Sequence, residues 1–245
     1  TKLYTIPSKD GKIMPSQLKD LLVRGGDQHF ASPRAVSLTL PSELGVCYSL
    51  KELAEWRSFA TSNQLFIHWD GARLANAASF HACSIKDLID AGCPDAITFG
   101  GTKNGLLGAE AVILFDKERA KNFKYIRKQG LHLPSKTRFL AAQFEAYLKN
   151  DFWKQISDHG TSEARHLCTQ LANFPEVQVA FPVESNAIFV RLPKAWIAPL
   201  KDEFFFYILD SEINMARWMI SFDWTRSHTE RLLTKLTEVR KQWPA

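Results

Sequence analysis

The chain has no run of 18 or more apolar residues, which excludes a membrane-spanning helix as the reading of any segment. Its four cysteines (Cys47, Cys83, Cys93 and Cys168) form no C-x-x-C pair and stand at no cysteine/histidine metal spacing. A disulfide framework and a structural zinc site are thereby set aside, and the expectation is a reduced, cytoplasmic chain without a metal. Low-complexity tracts are absent too. With 45% hydrophobic and 23% charged residues, the 245-residue chain has the composition of a folded globular protein. Charge of one sign is nowhere concentrated: the net +5 is spread along the sequence. The densest basic stretch, KERAKNFKYIRKQG (117–130), mixes in acids and aromatics. It reads as a solvated helix or an anion site, so neither nucleic acid nor a membrane is expected as a partner. The sequence opens on Thr1, which predicts that an N-terminal part lies upstream of it.

What is present is periodicity. AVSLTL (35–40) reads as a buried strand, and Ser49 with Glu52 forms a capping box before a helix carrying Leu50, Leu53 and Trp56 on one face to about Ser62. LFIHW (65–69) is a second strand, SIKDLIDAG (84–92) a helix closed by Gly92, and AITFG (96–100) a third strand. The Gly-rich loop GTKNGLLGAE (101–110) leads to a strand AVILF (111–115). This alternation predicts an α/β sheet with parallel members over residues 1–134. From Ser135 to about Phe174 the pattern is one long helical stretch. Strands VQVAF (177–181) and AIFVRL (187–192), a helical PLKDEFFFYIL (199–209), a strand RWMISF (217–222) and an amphipathic SHTERLLTKLTEVRKQW (227–243) follow. Residues 135–245 are therefore expected to form the long helix and a small α+β domain, with Phe204, Phe205, Phe206 and Tyr207 in its core.

Ligands of open α/β sheets bind at the carboxyl ends of the strands, where Asp70, Arg73 and Lys103 fall. Lys103 stands among Gly100, Gly101, Gly105 and Gly108, a setting in which a lysine holds a phosphate or forms a Schiff base. A P-loop is excluded by spacing, because Asn104 follows the lysine and Gly101 lies only two residues before it. Asp70 favours the Schiff base, since pyridoxal phosphate enzymes set a carboxylate against the pyridine nitrogen, and the planar fork of Arg73 suits a carboxylate. The competing reading of Asp70 and Arg73 is a local salt bridge or helix cap. His68 has no companion ligands at a metal spacing and reads as a core or stacking histidine.

HWDGARLANAA (68–78), DAITFGGTKNGLLGAEAVI (95–113), SKTRFLAAQ (135–143), SNAIFVRLP (185–193) and RWMISFD (217–223) together resemble the bacterial low-specificity threonine aldolases. These belong to the aspartate aminotransferase-like, fold type I, beta-eliminating lyase group of pyridoxal phosphate enzymes. The resemblance implies a mainly parallel large domain and a pyridoxal 5′-phosphate cofactor. The implied reaction is retro-aldol cleavage of L-threonine or L-allo-threonine to glycine and an aldehyde. It implies that Lys103 forms the Schiff base and that Asp70 meets the pyridine nitrogen. Arg73 and Arg217 would grip the substrate carboxylate, Thr102 would touch the cofactor phosphate, and Arg127 or Lys128 would help to hold it. A homodimer or homotetramer is implied as well. The chain departs from the family in two respects. The family's phosphate loop and ring-stacking histidine lie upstream of these residues. Its histidine base falls in a turn where TLPSELGVCY (39–48) carries Ser42 and Glu43, which leaves Glu43 or a water for the task. β-Elimination or racemisation on the same cofactor, and an inactive remnant acting only by association, are the alternatives.

Overall fold

A computed structural model describes residues 2–24 and 27–244. The apolar runs at 35–40, 65–69 and 96–100 become β1 (Ala35–Thr39), β2 (Phe66–Gly71) and β3 (Ala96–Gly100), paired in parallel in that order. β4 (Glu110–Leu114) closes the sheet antiparallel to β3. It runs back because the loop between them is shorter than the dozen or so residues that a parallel crossover needs. The α/β class and the mainly parallel sheet are as expected. Along β2 the pleat sends Ile67, Trp69 and Gly71 into the core and leaves Phe66, His68 and Asp70 half-buried on the other face.

Before and between these strands run α1 (Lys19–Arg24), α2 (Leu50–Ser62), α3 (Leu74–Phe80) and α4 (Ile85–Gly92). After them come α5 (Lys117–Ala120), α6 (Phe123–Gln129), α7 (Arg138–Leu148) and α8 (Phe152–Leu171). The capping box of α2 forms as its sequence dictates: Glu52 N–H donates to Ser49 Oγ at 3.2 Å, and Ser49 N–H donates to Glu52 Oε2 at 2.7 Å. The second sheet is antiparallel, in the order β5 (Gln178–Val179), β6 (Ala187–Arg191), β8 (Met215–Met219), β7 (Tyr207–Asp210). It packs with α9 (Lys194–Lys201), α10 (Arg226–Gln242) and α8 around Trp196, Ile188, Leu167 and Leu236. The first sheet has its own core around Trp56, Trp69, Leu53 and Ile97.

Three predicted elements are corrected, and a fourth element was not foreseen. The long helical stretch breaks between α7 and α8, where Asn150 and Asp151 both adopt left-handed backbone (φ 53° and 54°). α4 is closed by Cys93 in the left-handed region (φ 37°), not by Gly92. Gly92 is required for space, since a Cβ there would lie 2.3 Å from the indole of Trp69. The predicted helix over 199–209 stops at Lys201, and Tyr207–Asp210 is an edge strand. In consequence only Phe206 of the four aromatics is fully buried, against Trp218, while Phe205 and Tyr207 are exposed. The fourth is α3, which was not foreseen because its residues Leu74–Ala78 are buried on every side and show no amphipathic period. No helix among the described residues is long and apolar enough to cross a membrane.

Candidate active site

Asp70 is the last residue but one of β2, in a row of the sheet between Thr39 of β1 and Thr98 of β3. One carboxylate oxygen accepts the Ala72 N–H at 3.0 Å, so the turn that follows fixes the side chain. In the row behind, His68 Nδ1 lies 2.8 Å from Ser37 Oγ and Nε2 lies 3.4 Å from Thr98 Oγ1. Burial pulls the imidazole below its usual pKa, and the nearby Asp70 charge only partly offsets this. His68 is therefore held neutral on the face that carries Asp70.

Arg73 stands at the N-cap of α3, and Arg217 projects from β8 opposite Phe189 of β6 and Tyr207 of β7. Both line one narrow crevice with Pro41, Ser42, Glu43 and Phe189. Each Nε is buried without a hydrogen-bond partner. None of the ion pairs among the described residues includes Asp70, Arg73, Arg217 or Lys103, which sets aside the local salt bridge between Asp70 and Arg73. Burial, and then the repulsion of Arg217, lowers the pKa of Arg73, with Glu43 and Asp70 opposing the shift. Two guanidinium groups whose donors are unspent make an anion-binding corner.

The turn that supplies Glu43 is pinned at both ends. Leu40 N–H donates to Asp70 O at 2.8 Å, and Cys47 N–H donates to Glu184 Oε2 at 2.8 Å, tying the turn to the segment before β6. Within it, Ser42 Oγ donates to Asp10 O at 2.8 Å and accepts the Val46 N–H at 3.2 Å, while Gly45 supplies φ +77°.

Lys103 lies in a 3-10 turn, Thr102–Asn104, just beyond β3. Asn104 Nδ2 donates to Gly100 O at 2.8 Å and to Ala72 O at 3.0 Å, which fastens the lysine loop to the Asp70–Arg73 loop. A Cβ at position 100 would sit 2.4 Å from Ala72 O, so the contact requires Gly100. The lysine side chain is exposed and lines a second crevice with Asn76, Asn186, Ile220 and Phe222. Thr102 is also exposed, with its N–H 3.3 Å from Glu110 Oε1 and its hydroxyl making no bond among the described residues. Arg127 and Lys128 lie on the exposed α6 and line neither crevice.

The residues singled out in the sequence thus fall into two adjoining groups. Arg73, Arg217 and Glu43 share one crevice, Lys103 opens another, and Asn104 and Gly100 join the loops that carry them. Asn76, Asn104 and Asn186 escaped the sequence reading. Their signal is a polar amide placed inside the small, apolar runs LANAA and SNAIF and beside the lysine. The four cysteines are free, and among the described residues no group of three or more histidines, cysteines or acids converges to hold a metal.

The model of the beta-eliminating lyase family matches residues 1–194. The low specificity L-threonine aldolase of Pseudomonas aeruginosa is 37% identical over 224 residues, covering 91% of this chain and 64% of that protein. The low specificity L-threonine aldolase of a Pseudomonas species is 31% identical over 239 residues, covering 98% of this chain and 69% of that protein. The solved structure of Leishmania major threonine aldolase superposes with a TM-score of 0.89 at 26% identity, over 97% of this chain and 70% of that one. The chain therefore spans about two thirds of the length of these relatives.

Proposed function

The chain belongs to the beta-eliminating lyase family, and on that premise we propose that it cleaves β-hydroxy-α-amino acids such as L-threonine or L-allo-threonine to glycine and an aldehyde. The observation that carries this reading is the pair of unspent guanidiniums, Arg73 and Arg217, at the carboxyl end of the sheet and beside the Lys103 loop. The residues fit pyridoxal 5′-phosphate: an exposed lysine for its aldehyde, a fixed carboxylate at Asp70 for its pyridinium, and a free hydroxyl at Thr102 for its phosphate. When bound, that cofactor supplies an electron sink for the pair released as the Cα–Cβ bond breaks.

The chain's own groups do the rest. Lys103 contributes a primary amine that a substrate amine can replace. Arg73 and Arg217 hold the substrate carboxylate in two directions, which fixes the rotation about Cα and hence the bond presented for cleavage. Asp70, its carboxylate fixed by the Ala72 N–H, would meet the cofactor's pyridine nitrogen and stabilise positive charge there. Glu43 is the carboxylate lining the arginine crevice, and it takes the β-hydroxyl proton as general base. Residues 1–134 carry Asp70, Arg73 and Lys103, and residues 135–245 close the site with Arg217. Homodimers or homotetramers are supported by the exposed apolar side chains between Leu107 and Phe139.

The test is product analysis. With pyridoxal 5′-phosphate and L-threonine, the chain is expected to form glycine and acetaldehyde in equal amounts. Glu43→Gln should lower kcat by about 10²- to 10⁴-fold. Formation of a 2-oxo acid and ammonia would move the reading to β-elimination, and a change of configuration at Cα without cleavage would move it to racemisation.

A further inference from the structure

The crevice that Lys103 lines is shared by two asparagines that the reaction above does not use. Asn76 on α3 is 3% exposed and Asn186, just before β6, is 7% exposed. Both line this crevice, and each has its amide oxygen buried without a hydrogen-bond partner. Asn186 cannot turn its oxygen elsewhere without loss, because its Nδ2 donates to Ile220 O at 2.8 Å. The open volume is about 10 Å³, room for one water molecule or one ammonium group. A buried acceptor left unmet is costly, and two at one place in a narrow crevice call for a donor. Lys103 is the cation among its lining residues.

We propose that Asn76 and Asn186 form a receiving cradle for the Lys103 amine: when an incoming amine takes its place on the cofactor, the freed ammonium swings into the crevice and donates to the two amide oxygens. The inference rests on the proposed function, which assigns Lys103 to the cofactor. Both asparagines are positioning residues that act through the lysine. Covalent exchange is balanced: the substrate nitrogen arrives as an ammonium and gives up two protons as it forms the new carbon–nitrogen double bond, and the lysine nitrogen takes both and leaves as an ammonium. By stabilising the freed ammonium, the cradle favours exchange in the forward direction and parks the lysine clear of the reacting carbons.

The experiment measures that exchange without turnover. The chain loaded with pyridoxal 5′-phosphate is titrated with glycine, then reduced with borohydride, and the fraction of Lys103 bearing a pyridoxyl group is read by peptide mass spectrometry. Asn186→Leu should raise the glycine concentration for half-displacement about tenfold, the worth of one lost hydrogen bond to a charged group. The same shift is expected with methylamine, which offers the arginines no carboxylate. Asn186→Asp keeps an acceptor toward the crevice but cannot donate to Ile220 O, and it should exchange as easily as the native chain or more so. Equal impairment in the Leu and Asp variants would make Asn186 a structural tie to Ile220, and an unchanged Leu variant would leave the crevice to a water; either overturns the cradle. Asn76→Leu, read in the same way, decides the matter if the Asn186 variants do not fold. A native chain that forms no adduct at Lys103 overturns the functional reading and the cradle together.

Discussion

Arg73 and Arg217 are half-buried in a place where each repels the other, and among the described residues neither has a protein anion within ion-pair distance to compensate. Such an arrangement is costly by itself and becomes favourable when a carboxylate enters. Arg217→Lys keeps the charge and loses the fork, so KM for L-threonine should rise about 10- to 100-fold, with the smaller effect on kcat; steady-state kinetics over a range of substrate concentrations check this. His68 yields a second expectation. Its pKa lies below the ordinary 6.5 because of burial, so the unfolded chain binds the proton more readily than the folded one. The stability that neutral His68 contributes is complete above about pH 6.5 and is lost as pH falls through that value. Urea midpoints measured from pH 7.5 to 5 should fall less steeply for His68→Asn than for the native chain. At this scale Asp70, Arg73 and Lys103 were legible because each sits in a short motif at a strand end. Arg217 had no local motif and was placed only by the resemblance. Asn76 and Asn186 were illegible, since a sequence does not reveal which buried amides lack partners.

Among the elements, those with end signals and a half-buried face were readable, and those governed by space were not. α2 carries its capping box in plain view, and Ser49→Ala should cost about 1 kcal/mol in a chemical denaturation experiment. α3 has neither end signal nor period, because Leu74–Ala78 are enclosed on all sides. Gly92 looked like a helix stop by its position, yet its lack of a side chain serves Trp69, and the stop itself falls to Cys93. Gly92→Ala should therefore destabilise by about 1–3 kcal/mol through overpacking against the indole, although it improves helix propensity. The same logic applies where the site is assembled. A methyl at position 100 would strike Ala72 O, so Gly100→Ala should part the lysine loop from the Asp70–Arg73 loop and weaken cofactor binding while leaving much of the helical circular dichroism intact.

For the whole molecule, the two-sheet plan was legible from the change in rhythm near Gly130, and the tertiary joints were not. Cys47 N–H to Glu184 Oε2, and Asn104 to Ala72, connect residues far apart in sequence, and nothing in either segment announces its partner. Large apolar side chains at Leu107, Ile126, Leu131 and Phe139 are more than half exposed, a density that favours burial between copies of the chain. Sedimentation velocity should find a species larger than the 27.8 kDa monomer, and Leu131→Asp with Ile126→Asp should shift it toward the monomer.

The central claim is that Lys103, whose loop Asn104 fastens to the loop of Asp70 and Arg73, bears the cofactor. Incubation with pyridoxal 5′-phosphate, borohydride reduction and peptide mapping tests it most directly. The account predicts one pyridoxyl adduct, at Lys103, absent from Lys103→Ala. Labelling scattered over exposed lysines, with no preference for Lys103, would contradict it.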